Sequence, residues 1–236
     1  MVYQGDLPQG IMDSAQSATF GFFLLSFPAL FSIINPLGGT FLFLAATKSL
    51  SRQTRAELAR WVAIHSFIIL STSLYVGAYV LGFFGISLPV LRVAGGIVIA
   101  LSGWQMLNAG EDPDRDEAQA SLRNHSGASS RAFYPLTMPI TTGPGTISVA
   151  ISLGTSRPSG AGAGQLAWFF AQASAATVLI CLIVYLAYRF SNRISRAIGA
   201  TGTSIVVRLS AFLLFCIGIQ VLWTGAAELL ASVVGK

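Results

Sequence analysis

Pro135-Leu136-Thr137-Met138-Pro139-Ile140-Thr141-Thr142-Gly143-Pro144-Gly145-Thr146 lies inside an apolar run that extends from Phe133 to Leu153. A regular helix cannot hold that string, because proline lacks the N–H that the ladder needs and its ring clashes with the carbonyl four residues earlier. At membrane depth such a backbone is tolerated only where it is buried in protein or lines a wet cavity. A milder interruption, Asn35-Pro36-Leu37-Gly38, falls in the first apolar run. Asparagine is a good N-cap and proline is favoured at the first helical position. Each string therefore reads as the end of one half-helix and the start of the next.

The rest of the chain supplies the membrane. Hydrophobic residues make up 53% and charged residues 10%, against roughly 25% charged in soluble domains. Runs of the length that crosses a bilayer are predicted at Thr19 to Ala46, Trp61 to Phe84, Leu88 to Leu107, Phe133 to Leu153, Leu166 to Tyr188 and Ile205 to Val234. The fold class is all-α, with six transmembrane helices. No basic n-region precedes the first run, where Asp6 and Asp13 stand, so that run is expected to be retained.

The net charge of +5 does not mark a nucleic-acid protein, because the basic residues fall in short loops between apolar runs rather than on one face or tail. Lys48, Arg52, Arg55 and Arg60 follow the first run; Arg115, Arg123 and Arg131 the third; Arg189, Arg193 and Arg196 the fifth. Only Arg157 and Lys236 lie on the other side. By the positive-inside rule, loops one, three and five are cytoplasmic and both termini are periplasmic in a bacterial inner membrane.

The two halves of the chain are weakly alike. Gly103-Trp104-Gln105-Met106-Leu107-Asn108-Ala109-Gly110 matches Gly218-Ile219-Gln220-Val221-Leu222-Trp223-Thr224-Gly225 at four of eight positions, and Pro36 aligns with Pro144. Residues 1–110 and 132–236 thus read as three-helix repeats joined by a linker over 111–131, whose acidic cluster (Glu111, Asp112, Asp114, Asp116, Glu117) is expected to be solvated. Three spans is an odd number, so the second repeat must enter the membrane from the opposite side. Inverted repeats with broken first helices are a recurrent transporter plan, with the substrate held between the breaks.

The candidate binding residues are Asn35, Pro36, Gly38, Thr141, Thr142, Gly143, Pro144, Gly145 and Thr146. If Asn35 caps its half-helix it consumes a free N–H, whereas Gly143 has no side chain with which to do so. The amides of Gly145 and Thr146 would then stay open at the positive end of a half-helix, which suits a carboxylate, and Gly145 is expected to let a ligand approach the backbone. Arg92, Arg208, Gln105 and Gln220 are candidates for gating or for lining the pathway, each against a bland reading as a snorkelling arginine or an interhelical hydrogen bond. Glu228 lies near the end of the last run, where a proton-relay role has little support. Cys181 and Cys216 have no metal-ligand or CxxC spacing and read as reduced thiols. His65 and His125 have no partner for a metal or a catalytic pair, so an enzyme is not expected.

The strings Phe31-Ser32-Ile33-Ile34-Asn35-Pro36-Leu37-Gly38 and Pro135 to Ile147 resemble the MarC family of bacterial inner-membrane proteins. The resemblance covers the whole chain. It implies, for some relatives, transport of small neutral amino acids, and it links the family by name to multiple antibiotic resistance. The wider superfamily is similar to the LysE exporters and to the DsbD-type electron carriers. Redox transfer of the latter kind would need a cysteine beside each first-helix proline, and Asn35 and Gly143 stand there. The expected function is a secondary transporter or exporter of a small neutral solute such as alanine or glycine, working by alternating access. It would have no cofactor beyond a coupling ion, H+ or Na+, and lipid and the small-molecule substrate as partners, with room for a homo-oligomer. The rivals are an accessory membrane protein with no transport cycle, an ion channel and a membrane enzyme.

Overall fold

The computed structural model describes residues 9–108, 128–157 and 162–234, and there is no strand among the described residues. Helix α1 (Gln9–Ile34) stops at Asn35 and α2 (Pro36–Ala46) resumes at once. A short turn leads to α3 (Arg52–Phe84) and then to α4 (Leu88–Asn108). After the short α5 (Ala128–Arg131) come a wide π-helical stretch at Ala132–Thr141, α6 (Pro144–Thr155), α7 (Ala163–Arg189) and α8 (Ser191–Val234). The linker expected over 111–131 lies outside the described residues except for α5, as do its acidic cluster and His125.

Local chemistry sets these boundaries. Ser51 caps α3 by accepting from the Thr54 N–H at 3.1 Å, and α3 ends on Gly85 with φ 67, a left-handed conformation that glycine takes without steric cost. Helix α3 begins nine residues before the expected Trp61, because its first turns carry Arg52, Arg55, Glu57 and Arg60 and so escape a hydropathy reading. Arg55 was expected to be a loop charge, yet it is 6% exposed. Its Nε donates to Thr47 Oγ1 at 3.1 Å, and its Nη2 donates to the carbonyls of Thr47 at 2.8 Å and Leu50 at 3.3 Å. A cation at the C-terminal end of α2 also complements that helix's dipole.

Five segments are long and apolar enough to cross a membrane by length and composition: Gly21–Ala46, Arg52–Phe84, Leu88–Asn108, Ala163–Arg189 and Thr201–Val233. The apolar run from Phe133 to Leu153 is not one helix. Tyr134 and Met138 leave helical geometry within Ala132–Thr141, and the twelve residues of α6 rise only about 18 Å. Helix α8 is also bent, at Gly199 with φ 74.

Polarity is distributed as a bilayer requires. Large apolar side chains such as Leu24, Val76, Tyr79, Phe83, Leu101, Leu209 and Phe212 face outward, while Ser26, Thr40, Ser66, Ser73, Thr137, Thr141 and Thr142 are buried. Lipid offers those hydroxyls no partner, so they turn inward and bond to protein. The core is built of Leu30, Ile34, Phe43, Leu58, Val62, Leu70, Leu136, Ile180, Val184 and Tyr188. Helices α4 and α8 form the closest pair, α3 packs on α6 and α7, and α2 packs on α8 as α6 does on α4. Glycines let α4 and α8 touch through backbone. A methyl group on Gly103 would lie 2.5 Å from the Phe215 nitrogen, and one on Gly218 would lie 2.3 Å from the Ala100 nitrogen.

Candidate functional site

Both interruptions expected from the prolines are present, and they are built differently. Asn35 adopts φ 47 and ψ 62, a left-handed conformation that asparagine tolerates better than most residues. From there its Oδ1 accepts the N–H of Gly38 at 3.1 Å, which is the cap expected from the sequence. Gly38 is glycine for a local reason, since a methyl group there would come within 2.7 Å of Asn35 Nδ2. That Nδ2 is buried and has no hydrogen-bond partner among the described residues. Pro36 starts α2, and Thr40 returns its hydroxyl to the Pro36 carbonyl at 2.6 Å.

The second break is wider. Thr137 and Thr141 donate to the carbonyls of Ala132 and Leu136 at 2.8 and 2.7 Å, so hydroxyls cover carbonyls across the π-helical stretch. Thr142 donates to Ser66 Oγ, roughly halfway along α3, at 2.8 Å. Gly143 then occupies the N-cap of α6 in extended conformation, and no side chain caps that end. The first free amides after Pro144 are those of Gly145 and Thr146, both buried residues.

Gly145 is not glycine for the reason its sequence context suggests. A methyl group on Gly145 would lie 2.3 Å from Ile99 Cγ1, so its Cα is packed against α4 rather than held open for a ligand. The amide, and not the missing side chain, is what this residue can offer.

One side chain that the sequence did not single out joins the two breaks. Tyr188, in the last turn of α7, is fully buried; its hydroxyl lies 2.9 Å from Thr141 Oγ1 and 2.7 Å from where a methyl group on Gly39 would be. Its ring stacks on Phe43 with centroids 4.4 Å apart. Because the Thr141 hydrogen is committed to the Leu136 carbonyl, Tyr188 is the donor. Nothing local marks Tyr188 as special, since it is simply the last residue of an apolar run.

The remaining candidates are not gathered at the breaks. Arg92 on α4 forms an ion pair with Glu228 on α8, and its Nε donates to Ser152 Oγ on α6 at 3.2 Å. Glu228 is therefore half of a pair that ties three helices. Arg208, Gln105 and Gln220 are exposed on α8 and α4. His65 stacks on Trp61 and meets Phe133 edge-on, with Ser129 Oγ 3.3 Å from its Nε2. Both cysteines are free, Cys181 buried and Cys216 exposed.

Known proteins resemble the chain along most of its length. A model of the MarC family of integral membrane proteins matches residues 20–230. The protein named inner membrane protein MarC from Escherichia coli is 34% identical over 214 residues, which is 88% of this chain and 95% of that relative. Its namesakes from Citrobacter koseri and Salmonella typhimurium are each 32% identical with the same coverage. No solved structure matches. With nearly the whole of its length matched in this way, the chain belongs to the MarC family of integral membrane proteins.

Proposed function

We infer that the protein is a secondary transporter of small neutral solutes, amino acids such as alanine or glycine, that works by alternating access between two inverted three-helix repeats. The observation that carries this reading is the meeting of two helix breaks, at Pro36 and Pro144, around one buried tyrosine. Unsatisfied backbone is costly in lipid, and paired interruptions at matching positions of two repeats are how transporters of this plan build a site between them.

Packing supports the repeat. Gly103 meets Phe215, and Gly218 meets Ala100; Phe215 precedes Gly218 by three positions, as Ala100 precedes Gly103. Aligning the two Gly-x-Gln-x-Leu strings thus converts one contact into the other, as a two-fold relation between halves requires. Six spans follow if the two pieces from Ala132 to Thr155 cross together, and the basic loops then place both termini in the periplasm of an inner membrane, the membrane in which the relatives' name puts them.

The substrate's carboxylate would be held by the Gly145 and Thr146 amides at the uncapped end of α6, with Asn35 Nδ2 as a second donor. Buried hydroxyls at Ser66, Thr141 and Thr142 add neutral polar groups, which fits a zwitterion better than an ion of net charge. The coupling ion would be H+ or Na+. Counterflow of labelled alanine in vesicles holding the purified protein should exceed that in empty vesicles several-fold. Its absence for alanine, glycine and serine alike would leave an accessory membrane protein as the better reading.

A further inference from the structure

We propose that Tyr188 is the positioning residue of an inner gate, a latch whose hydroxyl holds the two broken helices together at the end of the molecule that carries the basic residues. The inference rests on the transport reading above, and it assigns that site's closure to one hydrogen bond and one glycine. Three contacts converge on Tyr188. Its hydroxyl donates to Thr141 just ahead of the second break, the same hydroxyl fills the space left by the absent side chain of Gly39 in the first turn of α2, and its ring lies on Phe43 one turn further on. Gly39 has no left-handed backbone that would call for glycine. Room for the tyrosine oxygen is what that position supplies.

The location suits a gate. Tyr188 is followed at once by Arg189 and by the α7–α8 connection at Phe190, with Arg193 and Arg196 just beyond, so it lies at the basic end of α7. Ser66 lies about halfway along α3 from its basic first turn, deeper than Tyr188 in the last turn of α7, and Thr142, just after the π-helical stretch, donates to it. Separating α2 from the π-helical stretch on that side requires the hydroxyl to give up either Thr141 or the Gly39 notch. The oxygen makes the bond to Thr141 and the closest approach at Gly39, where the ring carbons Cε1 and Cζ lie only in ordinary contact at 3.6 Å, so its removal should loosen the latch without removing the aromatic packing.

The test uses a Cys181→Ala, Cys216→Ser chain carrying Ser66→Cys as a reporter behind the gate, reconstituted with known sidedness. Tyr188→Phe should raise the rate at which an impermeant thiol reagent labels position 66 from the basic side roughly fivefold, the population shift expected for loss of one buried hydrogen bond. Labelling from the opposite side should stay unchanged or fall. Gly39→Ala, which displaces the hydroxyl, should act in the same direction, and adding Tyr188→Phe to it should bring labelling back down, because the methyl group then occupies the vacated notch. Equal increases from both sides would show general loosening, and unchanged labelling in Tyr188→Phe would show that the bond holds nothing shut; either result overturns the latch. Side-selective labelling of the reporter chain, with no amino-acid counterflow in the unsubstituted protein whose Ser66 is intact, would remove the transport reading and leave the latch standing.

Discussion

Asn35 combines two roles that substitution can separate. Its left-handed backbone would cost alanine about 1 kcal/mol, and the lost cap to Gly38 about 1 more. Asn35→Ala should therefore destabilise the protein by about 2 kcal/mol, whereas Asn35→Gly, which relieves the backbone and is a tolerable cap, should cost only a few tenths. Thermal unfolding in detergent reads the order, and a glycine variant no more stable than the alanine one would show that the left-handed backbone is not what is being measured. Gly145→Ala tests packing rather than ligand approach. It should lower stability through the contact with Ile99, and should cost much less in a chain that already carries Ile99→Ala, where the clash is gone. The carboxylate assignment is better tested by the substrate, with alanine transported and its amide not. The Asn35 cap was legible because Asn-Pro is a local signal, set by atoms a few residues apart. Tyr188 was not legible, because its role depends on which distant backbone lies beside α7, and Gly145 was misread because a neighbour on α4 decides what a glycine there is for.

Elements in this protein meet through glycine, and that determines which substitutions they tolerate. At Gly218 a methyl group would face the backbone of Ala100, which cannot rotate away, while at Gly82 in α3 it would meet nothing within 4 Å. Gly218→Ala should cost about 1–3 kcal/mol by forcing α4 and α8 apart, and Gly82→Ala should be neutral or stabilising by up to about 1 kcal/mol. Comparable melting temperatures for the two variants would refute the account of the α4–α8 crossing. Helix existence was legible from apolar runs of bilayer length, and the breaks from proline and glycine. What escaped was polar sequence in helical form, as in the first turns of α3, where Ser51 provides the start signal but Arg52, Arg55 and Arg60 lower the hydropathy. The π-helical geometry of Ala132–Thr141 also escaped, because it depends on threonine hydroxyls reaching carbonyls five residues back.

The whole molecule turns a soluble protein's polarity inside out, with Phe83 84% exposed and Thr142 fully buried, and in a bilayer that polarity is consistent with only certain arrangements of its loops. Ten of the fourteen basic residues fall after the first, third and fifth apolar runs, and loops of that kind stay on the cytoplasmic side because lysine and arginine resist transfer across the membrane. If each half has three spans, that odd number sets the halves in opposite senses, and the reciprocal contacts Gly103 with Phe215 and Gly218 with Ala100 fit a two-fold relation between them. A cysteine at Ser126, in the central linker, should accordingly be inert to an impermeant reagent added to intact cells and react when the membrane is opened. A cysteine at Arg157, between the fourth and fifth runs, should behave in the opposite way. The two positions are tested together because each excludes a different error: reaction at 126 from outside would invert the whole assignment. Inertness at both would mean instead that Ala132 to Thr155 enters and leaves by the same face, so that the broken fourth segment does not cross and the two halves are not related by inversion.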